Sequence, residues 1–237
     1  MAEQLHVKTS GEGDSNVVLL HGLFGSSSNL GQIARGLNED NRVYSVDLPD
    51  HGRSDWLPQA SIQGYASCVA AWMDHQELTN CSVIGHSLGG KVAMQLAVNR
   101  PELIKRLVIL DISPMAYTVR RHDHIFAGLN AVKAAGVKTR AGARDILLTH
   151  MEESSVADFL LTSAYTDESG LIDWRFNLVQ LEADYRHMLS GIEVQEARGL
   201  PCQIPSLVIR GGLSFSTCHP WRIPSADTIT SSQVSMQ

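Results

Sequence analysis

Residues 81–93, CSVIGHSLGGKVA, pass from a short β-rich stretch through Gly85-His86-Ser87-Leu88-Gly89 directly into a helical stretch. Strand, tight glycine turn and helix in that order form the context of a nucleophile elbow, where a serine sits on a sharp turn with its hydroxyl exposed. Glycines two positions either side of Ser87 carry no Cβ, so strand and helix can approach closely around a strained residue. The helix then directs its N-terminus at the serine, which favours negative charge on a reacting oxygen. A Gly-rich βα turn with an incidental serine is the competing reading of the bare motif. The flanking strand and helix favour the nucleophile.

The rest of the chain repeats the alternation of β-rich runs with helical ones. Strands are expected at 4–9, 17–20, 42–46, 81–84, 107–110 and 207–209. The run VVLL is too continuous for a half-exposed strand and fits one buried on both faces. Ile62, Ala66, Val69, Trp72 and Met73 recur at helical spacing, predicting an amphipathic helix over 61–77. A second helix is expected over 88–99, with Pro101 marking its stop. This pattern predicts an α/β fold with a mainly parallel sheet and helices on both faces.

From about Pro114 to Cys202 the β-rich runs disappear and several helices are expected. Two readings remain for this stretch, an inserted helical lid or a long helical crossover, and the lid is favoured. The expected division is a first core segment at 1–113, a lid at 114–200, a last recognisable strand within 201–212 and a tail at 213–237. The tail holds six Ser, three Thr and two Pro with no periodicity, and by composition it reads as disordered. At 237 residues the chain has room for one core with a modest insertion.

A net charge of −6 disfavours nucleic acid as a partner, because phosphate binding needs excess Lys and Arg. No run approaches the roughly 20 apolar residues of a membrane helix. The N-terminal MAEQLHVKTSGEGDS has no apolar core of a signal peptide, so a cytoplasmic location is expected. Cys68, Cys81, Cys202 and Cys218 are scattered and read as reduced thiols. The ten histidines show no HExxH spacing, so neither a metal nor an organic cofactor is implied.

The second chemical signal is VVLLHGLFG, residues 17–25, a buried strand ending in an HG-type loop that can supply an oxyanion-hole amide. Leu23 is the expected donor, with Phe24 as alternative, and the Leu88 amide is the other donor. His21 reads as structural, orienting the loop.

HGLFGSSSNLG, VDLPDHGRSD, IGHSLGGKVAM, LVILDISP, VRRHDHIFAGLNAV and WRFN together resemble the YbfF group of small bacterial α/β-hydrolase esterases, from about residue 5 to Gly212. The resemblance implies an α/β-hydrolase fold and a serine hydrolase of carboxylic esters or thioesters working through an acyl-enzyme. It also implies a triad acid just after the strand that follows the nucleophile helix, which is Asp111 here. Asp111 ends a buried strand, where open α/β sheets place their sites, although it could instead cap the turn 112–114. Asp47, in VDLPDHGRSD, is the rival acid, but Asp50, Arg53 and Ser54 beside it suggest a hydrogen-bonded structural loop. A serine at the nucleophile position disfavours chemistry that uses a carboxylate nucleophile.

Arg120, Arg121, His122 and Asp123 open the expected lid, either as a salt-bridged helix start or as contacts for an anionic part of the substrate. Phe24, Phe126, Trp174 and Phe176 are the candidate substrate-binding residues, with Leu129 and Phe159 as further candidates for the pocket wall. A lid of this size suggests small to medium acyl esters.

The resemblance also implies a general-base His in a loop beyond a final strand, followed by a closing helix. After Gly212 the chain offers neither a Gly-His pair nor a recognisable strand or helix, so its ending reads as aberrant or truncated. His219 is the only histidine there and is not favoured as the base, so the triad His is not found and the chain in this form is expected to be nearly inactive as an esterase. The alternatives are a non-catalytic relic that binds acyl ligands and a carbon–carbon bond hydrolase or lyase of the same fold. Nothing in the sequence fixes an oligomeric state.

Overall fold

The computed structural model describes residues 4–193 and 204–210, together with the backbone of 226–230. The chain opens with strands β1 (Val7–Ser10) and β2 (Ser15–Leu20), helix α1 (Gly31–Leu37), strand β3 (Asn41–Val46) and helix α2 (Ile62–His75). Strand β4 (Cys81–His86), helix α3 (Leu88–Asn99) and strand β5 (Ile104–Leu110) follow. Between β5 and the next strand of the main sheet lie helices α4 (Asp123–Ala135), α5 (Arg140–Leu147) and α6 (Ser154–Leu161). The same insertion continues through strands β6 (Ala164–Thr166) and β7 (Ile172–Trp174) and helices α7 (Leu178–Ala183) and α8 (Tyr185–Met188). Strands β8 (Ser206–Arg210) and β9 (Ala226–Thr230) return to the sheet.

The main sheet runs β1-β3-β2-β4-β5-β8-β9, with β1 antiparallel to β3 and each other pair parallel. As the unbroken VVLL run predicts, residues 17–20 of β2 are buried on both faces. Helix α2 starts where Ser61 accepts a hydrogen bond from the Gly64 amide at 3.0 Å, and it buries Ile62, Tyr65, Ala66, Val69, Ala70 and Met73. Helix α3 is buried along nearly its whole length, which explains its apolar sequence.

Three expectations need correction. The stretch read as purely helical contains the β6–β7 hairpin. Its strands have three residues each, too short for a period of two to register, and its mark is the turn chemistry of Asp167 and Gly170. Asp167 accepts from the amides of Ser169 and Leu171, both at 2.9 Å, and Gly170 supplies φ 78°. Helix α1, at two turns, is likewise too short for periodicity to reveal. The tail, read as lacking a strand, contains β9, which pairs in parallel with β8 along its length. Thr228, Ile229 and Thr230 are β-branched, a signal hidden by the Ser/Thr-rich composition around them. Strand β8 is therefore paired on both sides, with β5 and with β9. Gly212, His219, Cys202, Cys218 and the place of a closing helix lie outside the described residues. Cys81 is a buried free thiol.

The insertion docks on the core through specific bonds. The Asn177 amide donates to the Asp50 carbonyl at 2.9 Å, and Asn177 Nδ2 donates to the Asp50 carboxylate at 3.0 Å. Ser163 Oγ donates to the Phe24 carbonyl at 2.8 Å. The WRFN segment is thus a seam between insertion and sheet.

Candidate active site

Ser87 stands between β4 and α3 with φ 51° and ψ −118°. A non-glycine residue held there stores roughly 1–3 kcal/mol of strain, which the surrounding structure must over-determine. The Ser87 amide donates to the Leu110 carbonyl at 3.0 Å, tying the turn to the end of β5. A Cβ on Gly85 would lie 2.3 Å from the Gly89 carbonyl oxygen, and one on Gly89 would lie 2.2 Å from that of Leu20. Both glycines are therefore required for α3 to press against β4 and β2, and that approach is what sets the turn.

The HG loop lies against the same turn, since a Cβ on Gly22 would be 3.2 Å from Ser87 Cβ. His21 is fully enclosed and fixes the loop. Its Nε2 accepts from the Leu48 amide at 3.0 Å, so its proton sits on Nδ1 and is donated to the Gly22 carbonyl at 2.8 Å. Burial pushes its pKa down to about 4. His51, also buried, is pushed down to about 3, chiefly by burial and secondly by His21. The unfolded imidazoles protonate near 6.5 while the folded ones resist until about 4 and 3. Stability from these groups is thus complete above 6.5 and lost as pH falls towards 4, by about 3 kcal/mol for His21 alone. Urea denaturation at pH 7 and pH 4.5 checks this, and an unchanged midpoint would contradict neutral burial of the pair.

Leu23 and Leu88 face one cavity of about 180 Å³ together with Ser87 and Asp111. Leu88 is the first residue of α3, where an amide has no acceptor within its helix. Asp111 follows the last residue of β5 with φ 56°, and its amide donates to the Ile209 carbonyl at 2.8 Å. Its carboxylate acts on His86, whose pKa is lowered by desolvation and pulled the other way by Asp111.

Asp47 is placed differently. It accepts from the amides of Ser27 at 2.6 Å and Arg53 at 3.0 Å, and His6 Nδ1 pairs with it at 3.0 Å. Burial opposes its ionisation, but these hydrogen bonds outweigh burial and hold its carboxyl below the ordinary range. It lies outside the cavity that holds Ser87 and braces the loop 47–54.

The candidate substrate-binding aromatics do not line the cavity. Phe24, Phe126, Trp174 and Phe176 are all buried and pack on one another behind it. Phe24 meets Phe126 at 5.2 Å and Phe176 at 5.1 Å between ring centroids, and Trp174 stacks on Phe176 at 5.7 Å. Large rings settle where most area leaves water, here the seam between insertion and sheet. Leu129 is buried as well, and Phe159 points outward at 36% exposure. The wall is built instead by Lys91, Ile112, Tyr117, Val119, Arg121, His122, Tyr185, Met188 and Leu189.

The Arg120–Asp123 cluster divides between its two readings. Arg120 pairs with Asp123 at 2.8 Å and lies over the Tyr185 ring at 4.9 Å, which is the salt-bridged helix start. Arg121 and His122 face the cavity. His122 Nδ1 bonds the Tyr185 hydroxyl, and desolvation, followed by His124, lowers its pKa. Among the described residues no group of three His, Cys, Asp or Glu side chains could hold a metal ion, and no helix is long and apolar enough to cross a membrane.

A family profile described as alpha/beta hydrolase fold matches residues 16–142. Esterase YbfF of Escherichia coli (strain K12) is 38% identical over 209 residues, covering 88% of this chain and 78% of that protein. The sn-1-specific diacylglycerol lipase ABHD11 of Mus musculus is 33% identical, covering 84% of this chain and 65% of its own length. The chain thus spans about two thirds of that longer relative. A solved structure titled marine microorganism esterase superposes with a TM-score of 0.90 at 29% identity, covering 96% of this chain and 90% of that one. The chain belongs to the α/β-hydrolase family and is similar within it to the YbfF-like esterases, a group of carboxylic ester hydrolases.

Proposed function

We propose that the chain hydrolyses small to medium carboxylic esters or thioesters through an acyl-enzyme on Ser87. The observation that carries this reading is the meeting of Ser87, Asp111, Leu23 and Leu88 at one cavity. Ser87 Oγ attacks the substrate carbonyl and gives its proton to an imidazole oriented by Asp111. The Leu23 and Leu88 amides donate to the oxyanion as the tetrahedral intermediate forms. The imidazole returns the proton to the leaving alcohol or thiol, and water then releases the acid from Ser87. His219, the only histidine after Gly212, lies outside the described residues.

Covalent labelling of the full chain with a fluorophosphonate, mapped by peptide mass spectrometry, tests the reading. The label is expected on Ser87. Absence of label there, in protein shown to be folded by circular dichroism, removes the proposal.

The cavity volume of about 180 Å³ supports a short acyl group, since pockets for larger ligands are typically 300 Å³ or more. Nitrophenyl acetate and butyrate are therefore expected to exceed the palmitate ester in kcat/KM by roughly tenfold or more, as mismatch of several methylenes allows. A preference for palmitate would contradict the size argument. Arg121 on the wall favours a further feature, an anionic group on the leaving side of the substrate, as in acyl thioesters of phosphate-bearing thiols.

A further inference from the structure

Helix α3 is apolar along most of its length, yet it carries Lys91 and Gln95, each at 1% exposure. They follow Ser87 by four and eight residues, so nucleophile, amine and amide lie one turn apart on one face of the helix. Polar groups buried in such a helix need partners. Lys91 Nζ donates to the carbonyls of Met115 at 3.0 Å, Leu189 at 3.3 Å and Ser190. The Tyr117 ring covers the amine at 4.7 Å from its centroid. Gln95 Nε2 donates to the Glu193 carbonyl at 2.9 Å, and Gln95 Oε1 accepts from the Glu193 amide at 2.9 Å.

These partners belong to two short segments, 114–117, where the chain leaves the core for the insertion, and 189–193, where it comes back. The segments also bond each other. The Tyr117 amide donates to the Leu189 carbonyl at 2.8 Å and the Ile192 amide to the Pro114 carbonyl at 3.0 Å. Both crossings are thus joined into one ladder, and α3 holds that ladder from below. Lys91, Tyr117 and Leu189 themselves face the cavity over Ser87, so a displaced ladder changes the cavity and not only a remote loop.

We infer that Lys91 and Gln95 are positioning residues that fasten both crossings of the insertion to the nucleophile helix and so set the wall of the cavity above Ser87. Ser87 is taken as the reacting residue, as proposed above. A donor of four carbons' reach is needed because three carbonyls from two segments converge on one point. The doubly bonded Gln95 amide extends the same fastening one turn further. Sequence reasoning had a signal for both: a lysine and a glutamine inside LGGKVAMQLAVN, a helix with no face left for water.

The test uses the full chain with Lys91→Met, which keeps the stem and removes the donors, and separately Gln95→Leu. Hydrogen exchange at the Tyr117 and Ile192 amides is expected to quicken roughly tenfold or more in each, as loss of a buried charged or paired donor implies. The Ser87 and Asp111 amides, bonded within the sheet, are expected to keep their protection. In fluorophosphonate labelling, the half-saturating reagent concentration should rise several-fold while the limiting rate per bound reagent stays within about threefold. If Lys91→Met does not fold, Gln95→Leu carries the same readouts. Unchanged exchange at the ladder overturns the inference, and so does protection lost evenly across β4 and β5. A fall in limiting rate at unchanged saturation also overturns it, because the amine would then act in the chemistry. Should Ser87 fail to label in any form, the ester-hydrolase reading falls, and exchange at the ladder still decides the fastening.

Discussion

In a form whose general-base imidazole is placed, Ser87→Ala is expected to lower kcat on nitrophenyl butyrate by roughly four to six orders of magnitude and to abolish fluorophosphonate labelling, in line with removal of a triad nucleophile. The change deletes one hydroxyl and leaves the backbone bonds of the turn in place, including the Ser87 amide to Leu110. The elbow geometry rests on Gly85 and Gly89, which the variant retains. Alanine at φ 51° is no better tolerated than serine, so the melting temperature should stay close to that of the parent. Measuring both quantities separates chemistry from folding. Turnover near the parental level in a folded Ser87→Ala protein would remove Ser87 from the mechanism.

The elbow and HG loop were legible because each is a local pattern: a strand, a turn that needs glycine, then a helix or a loop. The clashes a Cβ would make at Gly85 and Gly89 are the physical content of that pattern. The cavity wall was not legible in this way. Tyr117, Arg121, Tyr185 and Met188 reach it from opposite ends of the insertion, and their convergence depends on how the two crossings pair. Aromatic residues were the natural guess for the wall, but burial drew Phe126, Trp174 and Phe176 into the seam against the sheet. The wall that remains sets Arg121, His122 and two tyrosines among aliphatic side chains such as Ile112, Val119, Met188 and Leu189. The β6–β7 hairpin and β9 escaped for a simpler reason: three to five residues give too few positions to reveal a period.

The second large effect is expected at Asp111. In that same form, Asp111→Asn should lower kcat by up to about four orders of magnitude, because an amide cannot fix the imidazole tautomer or stabilise its charged form. Asp47→Asn should act in the opposite register. Asp47 receives the Ser27 and Arg53 amides and pairs with His6, and Ser54 Oγ donates to its backbone carbonyl at 2.6 Å. Losing half of that carboxylate's acceptor capacity leaves a buried donor unsatisfied, at about 1–3 kcal/mol. Its signature is therefore a lower melting temperature with near-parental turnover per folded molecule. The pH profile adds a further distinction. Hydrogen bonding holds the Asp47 carboxyl below its ordinary value, so its contribution is present above the unfolded carboxyl's range and lost as pH falls through the lowered folded value. Asp47→Asn should flatten the acid limb of stability below pH 4. Stopped assays on nitrophenyl acetate, corrected for folded fraction by circular dichroism, compare the two variants directly. A larger loss of turnover per folded molecule in Asp47→Asn than in Asp111→Asn would transfer the acid role to Asp47 and leave Asp111 as the cap of the turn after β5.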